Sequence, residues 1–265
     1  MKPIVLISTP WPVFNRPSVQ LGTLKSYLNR EFPDLTVGAH HFYLKIAEII
    51  GYPLYHEISG RTWVAETLYA AMLYPDRFDA IEKLFYKKAT DKPLLARLDF
   101  KDLTHRIAGV TDDFINRIHW DSFSLAGFSI CFCQLTSTLY FIQSIKQKVP
   151  SLPVVVGGSM FAGDAIKDVF KVFPEIDFVV NGEGELPLGR LVHHLSHSAD
   201  LEKISRIPGL VTPRGIAGKT RVVFNQMSDI NDLPMPDYDD YFRLLSTFSP
   251  EKTFSPTLPV EASRG

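Results

Sequence analysis

Cysteine is almost missing from this chain: Cys131 and Cys133 are the only two among 265 residues. A disulfide-stapled secreted scaffold is therefore excluded, and two thiols cannot by themselves ligate a cubane iron–sulfur cluster. An excess of one charge is missing too. Lysine and arginine total 28 against 29 for aspartate and glutamate, a formal net charge of -1, so there is no broad basic footprint for nucleic acid or an anionic membrane. No run of about 18 apolar residues is available to cross a bilayer. Met1-Lys2-Pro3-Ile4 does not open a basic, apolar, small-residue leader, and the cytoplasm is the expected compartment. With 45% hydrophobic and 22% charged residues, the chain can build one large core, or one domain with an appendage.

What the chain does have is a repeated order of strand, glycine and helix. Val154-Val155-Val156 is a β-branched run suited to a strand buried on both faces, and Gly157-Gly158 lets the backbone turn at its end. Asp164-Ala165-Ile166-Lys167-Asp168-Val169-Phe170 follows with helical spacing, and Asp177-Phe178-Val179-Val180-Asn181-Gly182 repeats the strand-then-glycine pattern. Such units predict a parallel sheet, with ligands bound beyond the carboxyl ends of its strands. Earlier strands are expected at Ile4 to Ser8, Leu35 to His41 and Ser124 to Ile130. The expected fold is α/β and Rossmann-like, a five-stranded parallel sheet in the flavodoxin-like order 2-1-3-4-5.

Between strands 2 and 3, from about 44 to about 118, the pattern turns to aromatic-rich amphipathic helix. This is an all-helical insertion, and Tyr69, Tyr74, Phe78, Phe85 and Tyr86 read as its core. After strand 5, Gly209-Leu210-Val211-Thr212, a turn at Gly215 to Gly218, and Arg221-Val222-Val223-Phe224 predict an antiparallel hairpin on the sheet's edge. The expected organisation is one domain over 1–227, then an acidic, proline-rich linker and the start of a second domain over 228–265.

Several motifs fail on inspection. Gly215-Ile216-Ala217-Gly218-Lys219-Thr220 imitates a phosphate-binding loop, but Pro213 stands where the first glycine belongs. Gly182-Glu183-Gly184-Glu185-Leu186-Pro187 holds two of three dinucleotide glycines, and its carboxylates would repel a pyrophosphate. His193 and His197 share a predicted helix face, yet no third ligand completes a metal set. Cys131 and Cys133 read as small hydrophobes. No metal ligand is expected.

Four loops open on one edge: Thr9 to Ser18, Cys131 to Thr136, the Gly157-Gly158 turn and the Gly182-Glu183-Gly184-Glu185 turn. Strands 1 and 3 are neighbours at the topological switch, where their loops diverge into a crevice. Its expected lining is backbone amide, the hydroxyls of Ser18, Ser129, Thr136 and Ser159, and the aromatics Trp11, Phe14, Phe132 and Phe161. Ser18 is also placed to cap the helix carrying Leu21, Leu24 and Leu28. There is no nucleophile and base pair, so no catalytic residue is expected. Such a lining suits a large, amide-rich, partly apolar cofactor.

These stretches resemble the cobalamin-dependent radical SAM enzymes, in particular the group that matures ribosomally made peptides (RiPPs). The similar segments are Trp11-Pro12 through Ser18, Leu21-Gly22-Thr23-Leu24-Lys25, Gly127-Phe128-Ser129 with Gln134-Leu135-Thr136, Val155 to Ser159, Asp177 to Glu185, and Leu258 to Gly265. The resemblance implies a cobalamin-binding domain that precedes a radical SAM barrel, whose first strand ends in Ser-Arg-Gly before a CxxxCxxC cluster motif. This sequence stops at Gly265, so the expectation is an N-terminal fragment that binds cobalamin and is inactive alone. S-adenosylmethionine and the [4Fe-4S] cluster belong to the intact enzyme, with the radical SAM domain in cis and a precursor peptide as partners.

The DxHxxG motif of many cobalamin proteins is absent, and Asp102 to Gly109 has the wrong spacing. A base-off cobalamin with no histidine lower ligand is thereby implied, and the reaction implied is C-methylation of a peptide. By position, Gly157, Gly158 and Ser159 are expected at the nucleotide tail, and Ser129 and Thr136 at the tail or corrin amides. Thr9, Arg16 and Gln134 are expected near the corrin face, with Gly182, Glu183 and Glu185 at the mouth. The rival readings are a stand-alone corrinoid or other cofactor-binding sensor or carrier, and a nucleotide-binding α/β enzyme.

Overall fold

The computed structural model describes residues 1–161, 166–197, 200–216, 222–249, 254–261 and 263. The strands are β1 (Ile4–Ser8), β2 (Val37–His41), β3 (Leu125–Ser129), β4 (Val154–Gly157), β5 (Phe178–Val180) and β6 (Leu210–Val211). They form one sheet in the order β2-β1-β3-β4-β5-β6, with β1 to β5 parallel and β6 antiparallel to β5. The sheet thus differs from the expected five-stranded one in its count and, through the added strand, in its full order. Its central strands β1 and β4 are short apolar runs, Ile4 to Ile7 and Val154 to Val156, because helices cover both faces.

The helices are α1 (Val19–Glu31), α2 (Phe42–Ile50), α3 (Tyr52–Ser59), α4 (Thr62–Leu73), α5 (Phe78–Ala89), α6 (Pro93–Ala96), α7 (Phe100–Arg117), α8 (Leu135–Lys148), α9 (Ile166–Val172), α10 (Glu185–His197), α11 (Leu201–Ile204), α12 (Pro213–Ile216) and α13 (Asp239–Leu245). Alternation along the strands sorts them into two layers. Leu6, Val155, Phe178 and Val180 face α1 and α10 through Leu21, Leu28, Leu188 and Leu191. Val5, Ile7, Val154, Val156 and Val179 face the opposite layer, where α8, α9 and the insertion α2 to α7 form the larger core. Tyr69, Phe85 and Phe100 are fully buried there.

Among the described residues the expected hairpin does not form. Residues 222–224 make no strand, and Asn225 forms an isolated parallel bridge to Gly182. Asn181 is the cause. Its N–H donates to the Gly209 carbonyl (2.8 Å), its carbonyl accepts from Asn225 N (2.9 Å), and its side-chain amide donates to the Val223 carbonyl (3.0 Å). Backbone on both sides of the turn is therefore bonded to the 181–183 stretch rather than to its hairpin partner. The expected turn residues Ala217 and Gly218, with Arg221, lie outside the described residues, as do Asp164, Ala165, Arg264 and Gly265.

The segment after β6 returns along α1. Lys25, half-way along that helix, reaches Asp237 (2.9 Å) and Asp240 (2.8 Å). Burial alone would lower the ammonium's pKa, but the hydrogen bonds it donates to Asp240 and Asp237, together with their negative charges, outweigh it and the net shift is upward. Asp240 also accepts from Ala39 N (3.0 Å), so one carboxylate caps the open edge of β2.

His41 ends that strand with a side chain 1% exposed and no hydrogen-bond partner on either ring nitrogen. It packs edge-on against Tyr43 and Tyr241. Burial, only partly offset by Asp240, lowers its pKa from the usual 6.5 to about 4, so the fold accepts the neutral ring. Because the folded value lies below the unfolded one, this contribution is complete above pH 6.5 and is lost as the pH falls through 4. Between about pH 7 and pH 4.5 the native chain should lose about 2–3 kcal/mol more stability than His41→Phe. Urea denaturation of both proteins at the two pH values measures this, and equal losses would acquit His41.

Candidate functional site

At the carboxyl ends of β3, β4 and β5 a cavity of about 400 Å³ opens on the face covered by α1 and α10. Its floor is the sheet, at Leu6, Gly127, Val155 and Val180, and its walls are Leu21 and Leu24 of α1 and Leu188 of α10. Polar groups gather toward the opening. Ser129, Gly157, Gly158, Gly182, Glu183 and Glu185 of the expected set all line it, joined by Gln20, Gln226 and Glu261. No lysine or arginine is among the described lining residues.

Two glycines at the mouth have positive φ, and each meets protein backbone. Gly158 (φ +111°) lies where a Cβ would come within 2.3 Å of the Ile130 carbonyl oxygen. Ile130 N donates to Gly157 O (2.7 Å) and Met160 N to Ile130 O (3.3 Å), which zips the loops after β3 and β4 together. Gly182 (φ +100°) sits under Asn225, whose carbonyl oxygen would be 2.1 Å from a Cβ. Glu183 N donates to that same carbonyl (2.9 Å), and the Glu183 carboxylate accepts from Met227 N. The glycines therefore shape the opening by letting neighbouring backbone cross it.

The other expected residues lie elsewhere. Gln134 is 2% exposed and its amide is fully engaged, donating to Thr9 O (2.6 Å) and Ser8 Oγ (3.2 Å) and accepting from Cys131 N (2.9 Å). Thr9 is buried and bonds Thr138 (2.8 Å) and Ser137 (2.9 Å). Thr136 turns toward the insertion, with Oγ1 2.6 Å from Glu66 Oε2. Ser18 caps α1 by accepting from Leu21 N (3.3 Å). Arg16 and Ser159 are exposed and do not line the cavity. Among the aromatics Trp11 is buried, Phe14 stacks on Tyr52, and Phe132 is 72% exposed at the same edge of the sheet.

The switch-point crevice between the loops after β1 and β3 is closed by side chains that sequence reasoning did not single out. Glu66 of α4 accepts from Leu135 N (3.1 Å) and Thr136 N (2.8 Å), which caps the first turn of α8 and fills the place where an anion would otherwise bind. Tyr55 donates to Pro12 O (2.9 Å), Tyr241 to Phe14 O (2.7 Å) and Tyr43 to Arg16 O (2.7 Å). No local signal links Glu66 to α8, since 69 residues separate Glu66 from Leu135. Gly127 was visible as part of a strand and of a family-like segment, not as a lining residue; its place opposite Leu6 and Val155 makes it part of the floor.

Cys131 and Cys133 are free thiols, the second buried, and burial pushes its pKa up. His193 and His197 have ring centroids 4.3 Å apart on an exposed face of α10. Among the described residues no group of three or more histidine, cysteine, aspartate or glutamate side chains is placed to hold a metal ion. No helix of the described residues is long and apolar enough to cross a membrane.

Removing the Glu66 cap leaves two amides and the Thr136 hydroxyl to find water at a partly buried site. Glu66→Ala should destabilise the chain by about 1–3 kcal/mol, read as a lower urea midpoint. An unchanged midpoint would show that the cap contributes nothing.

No family model matches the sequence. The anaerobic magnesium-protoporphyrin IX monomethyl ester cyclase of Synechocystis sp. is similar over part of it, 35% identical over 75 residues, which is 28% of this chain and 14% of the cyclase.

Proposed function

We propose that this chain is the cobalamin-binding domain of a radical SAM enzyme. The observation that carries the reading is the cavity at the carboxyl ends of β3, β4 and β5, aliphatic below and polar at the mouth. Its volume of about 400 Å³ suits a bicyclic base with its sugar. A tetrapyrrole ring is too large for it and would lie outside, against an edge where Phe132 and Phe224 are exposed. Three carboxylates and no lysine or arginine among the described lining residues count against a nucleotide cofactor rich in phosphate.

The base-off corrinoid without a histidine lower ligand rests on the sequence resemblance. The partial similarity to an anaerobic cyclase named for a tetrapyrrole substrate agrees with this reading. C-methylation of a ribosomally made peptide is the finer reading, and it rests on the sequence resemblance. In it a bound cobalamin supplies the methyl carrier, while S-adenosylmethionine, the [4Fe-4S] cluster and the peptide site belong to a radical SAM domain in cis. This chain's own task is to bury the base and present the ring.

Hydroxocobalamin added to the purified chain should co-elute in gel filtration with an absorption spectrum shifted toward the base-off form. Leu24→Trp fills the cavity from a half-buried helix position and should weaken binding at least about tenfold with the fold intact by circular dichroism. A chain that retains no chromophore and shifts no absorption band would sink the proposal.

A further inference from the structure

We infer that Gly22 and Tyr238 are positioning residues for the ligand: together they seat the segment over 254–261 at the mouth, where it helps to retain what the cavity holds. This rests on the corrinoid reading above. The sheet, α1 and α10 supply the floor and walls, but Glu261 and Ser263 also line the cavity, and they come from the far end of the chain. No strand or helix is formed over 254–261. Regular structure therefore does not hold this rim in place, and side chains must.

The holding runs through α1. Gln20, Leu21 and Leu24 line the cavity, whereas Gly22, Lys25, Ser26 and Arg30 follow one another along a different side of the helix. The chain over 232–238 lies against that side in the opposite direction: Arg30 donates to Asp232 O (2.6 Å), Ser26 to Met235 O (2.6 Å), Lys25 reaches Asp237 (2.9 Å), and Asp237 N donates to Gly22 O (3.1 Å). Gly22 makes a notch in this surface. A Cβ there would lie 2.7 Å from Tyr238 Cε1 and 3.0 Å from Asp237 O. Glycine is a poor residue for a helix interior, and what it provides here is the close approach of the tyrosine ring. Tyr238 uses both of its ends, since the ring fills the notch and the hydroxyl donates to Pro259 O (2.9 Å). Thr257 N adds a second tie, to Asn15 O (2.8 Å). A ligand that meets Glu261 or Ser263 adds to these ties, and by linkage the seated segment holds that ligand more tightly by the same factor.

The test uses the whole chain with hydroxocobalamin as the probe and takes two readouts: the rate at which bound corrinoid is released after dilution, followed by its visible spectrum, and backbone hydrogen exchange over 254–261, followed by mass spectrometry. Corrinoid should slow exchange in that segment. Tyr238→Phe keeps the ring in the notch and removes only the hydroxyl's bond to Pro259, so release should be about fivefold faster. Gly22→Ala favours the helix while displacing the ring; it should speed release at least as much, with helix content by circular dichroism undiminished. A segment that merely packs behaves otherwise: release at the native rate in both variants, with exchange over 254–261 indifferent to corrinoid, overturns the inference and leaves the corrinoid reading standing. If no corrinoid binds, the corrinoid reading fails and takes the inference with it.

Discussion

The arrangement on which the rest of the molecule depends is the bonding of tyrosine hydroxyls to the loop after β1. This loop runs through Pro10, Pro12 and Pro17 and forms no regular structure, so its carbonyls have no ladder to join. A buried carbonyl without a partner costs about as much as a lost hydrogen bond. Alternate carbonyls at Pro12, Phe14 and Arg16 are met by Tyr55, Tyr241 and Tyr43. Burial raises the pKa of each phenol, which keeps it protonated and a donor. Trp11 adds a fourth tie, its indole N–H donating to Ala65 O (2.9 Å). The donors come from α2, α3 and α13, so the helical insertion and the carboxyl-terminal helix are fastened to the sheet through one loop.

That fastening decides where a ligand can go. In an open parallel sheet the switch point between β1 and β3 is the usual crevice. Here its β1 side is pinned by tyrosine, its β3 side is held by Gln134, and the amino end of α8 is covered by the carboxylate of Glu66. A negative charge is already installed where a phosphate would sit. The opening has moved along the sheet to β3, β4 and β5 and to the opposite face, between α1 and α10. The two faces have thus been given different work. One is filled by the insertion, and the other keeps a hollow with an aliphatic floor and a polar mouth.

The strands were legible because a strand covered on both faces must be a short apolar run, and Ile4 to Ile7, Val154 to Val156 and Phe178 to Val180 are such runs. Val222-Val223-Phe224 has the same composition and is no strand, because Asn181 engages the Val223 carbonyl and the neighbouring Asn225 backbone. Composition reports what a segment tolerates, and hydrogen-bond competition from a distant asparagine decides what it does. The site divides along a similar line. Gly157, Gly158, Gly182, Glu183 and Glu185 could be found because glycine at a strand's end is a local signal. Leu6, Leu24, Gly127 and Leu188 could not, since a residue lining a hollow and a residue filling a core obey the same pattern of periodicity. Thr9, Gln134 and Thr136 have polarity suited to a ligand, and they spend it on neighbouring hydroxyls, on backbone and on Glu66.

The stretch beyond β6 reads in sequence as an acidic, proline-rich linker, and its charges explain why it does not behave as free chain. Lys25 is drawn to Asp237 and Asp240, Ser26 donates to Met235 O (2.6 Å), and Asp237 N donates to Gly22 O (3.1 Å), which lays the segment along α1. Tyr238 then donates to Pro259 O (2.9 Å), and Thr257 N reaches Asn15 O (2.8 Å) in the tyrosine-pinned loop. These contacts bring Glu261 to the mouth of the cavity. The same helix that forms one wall is therefore the rail that positions the segment crossing the opening. Lys25 ties the wall helix to this segment, and Tyr238 joins the segment's start to Pro259, two residues before the rim carboxylate of Glu261.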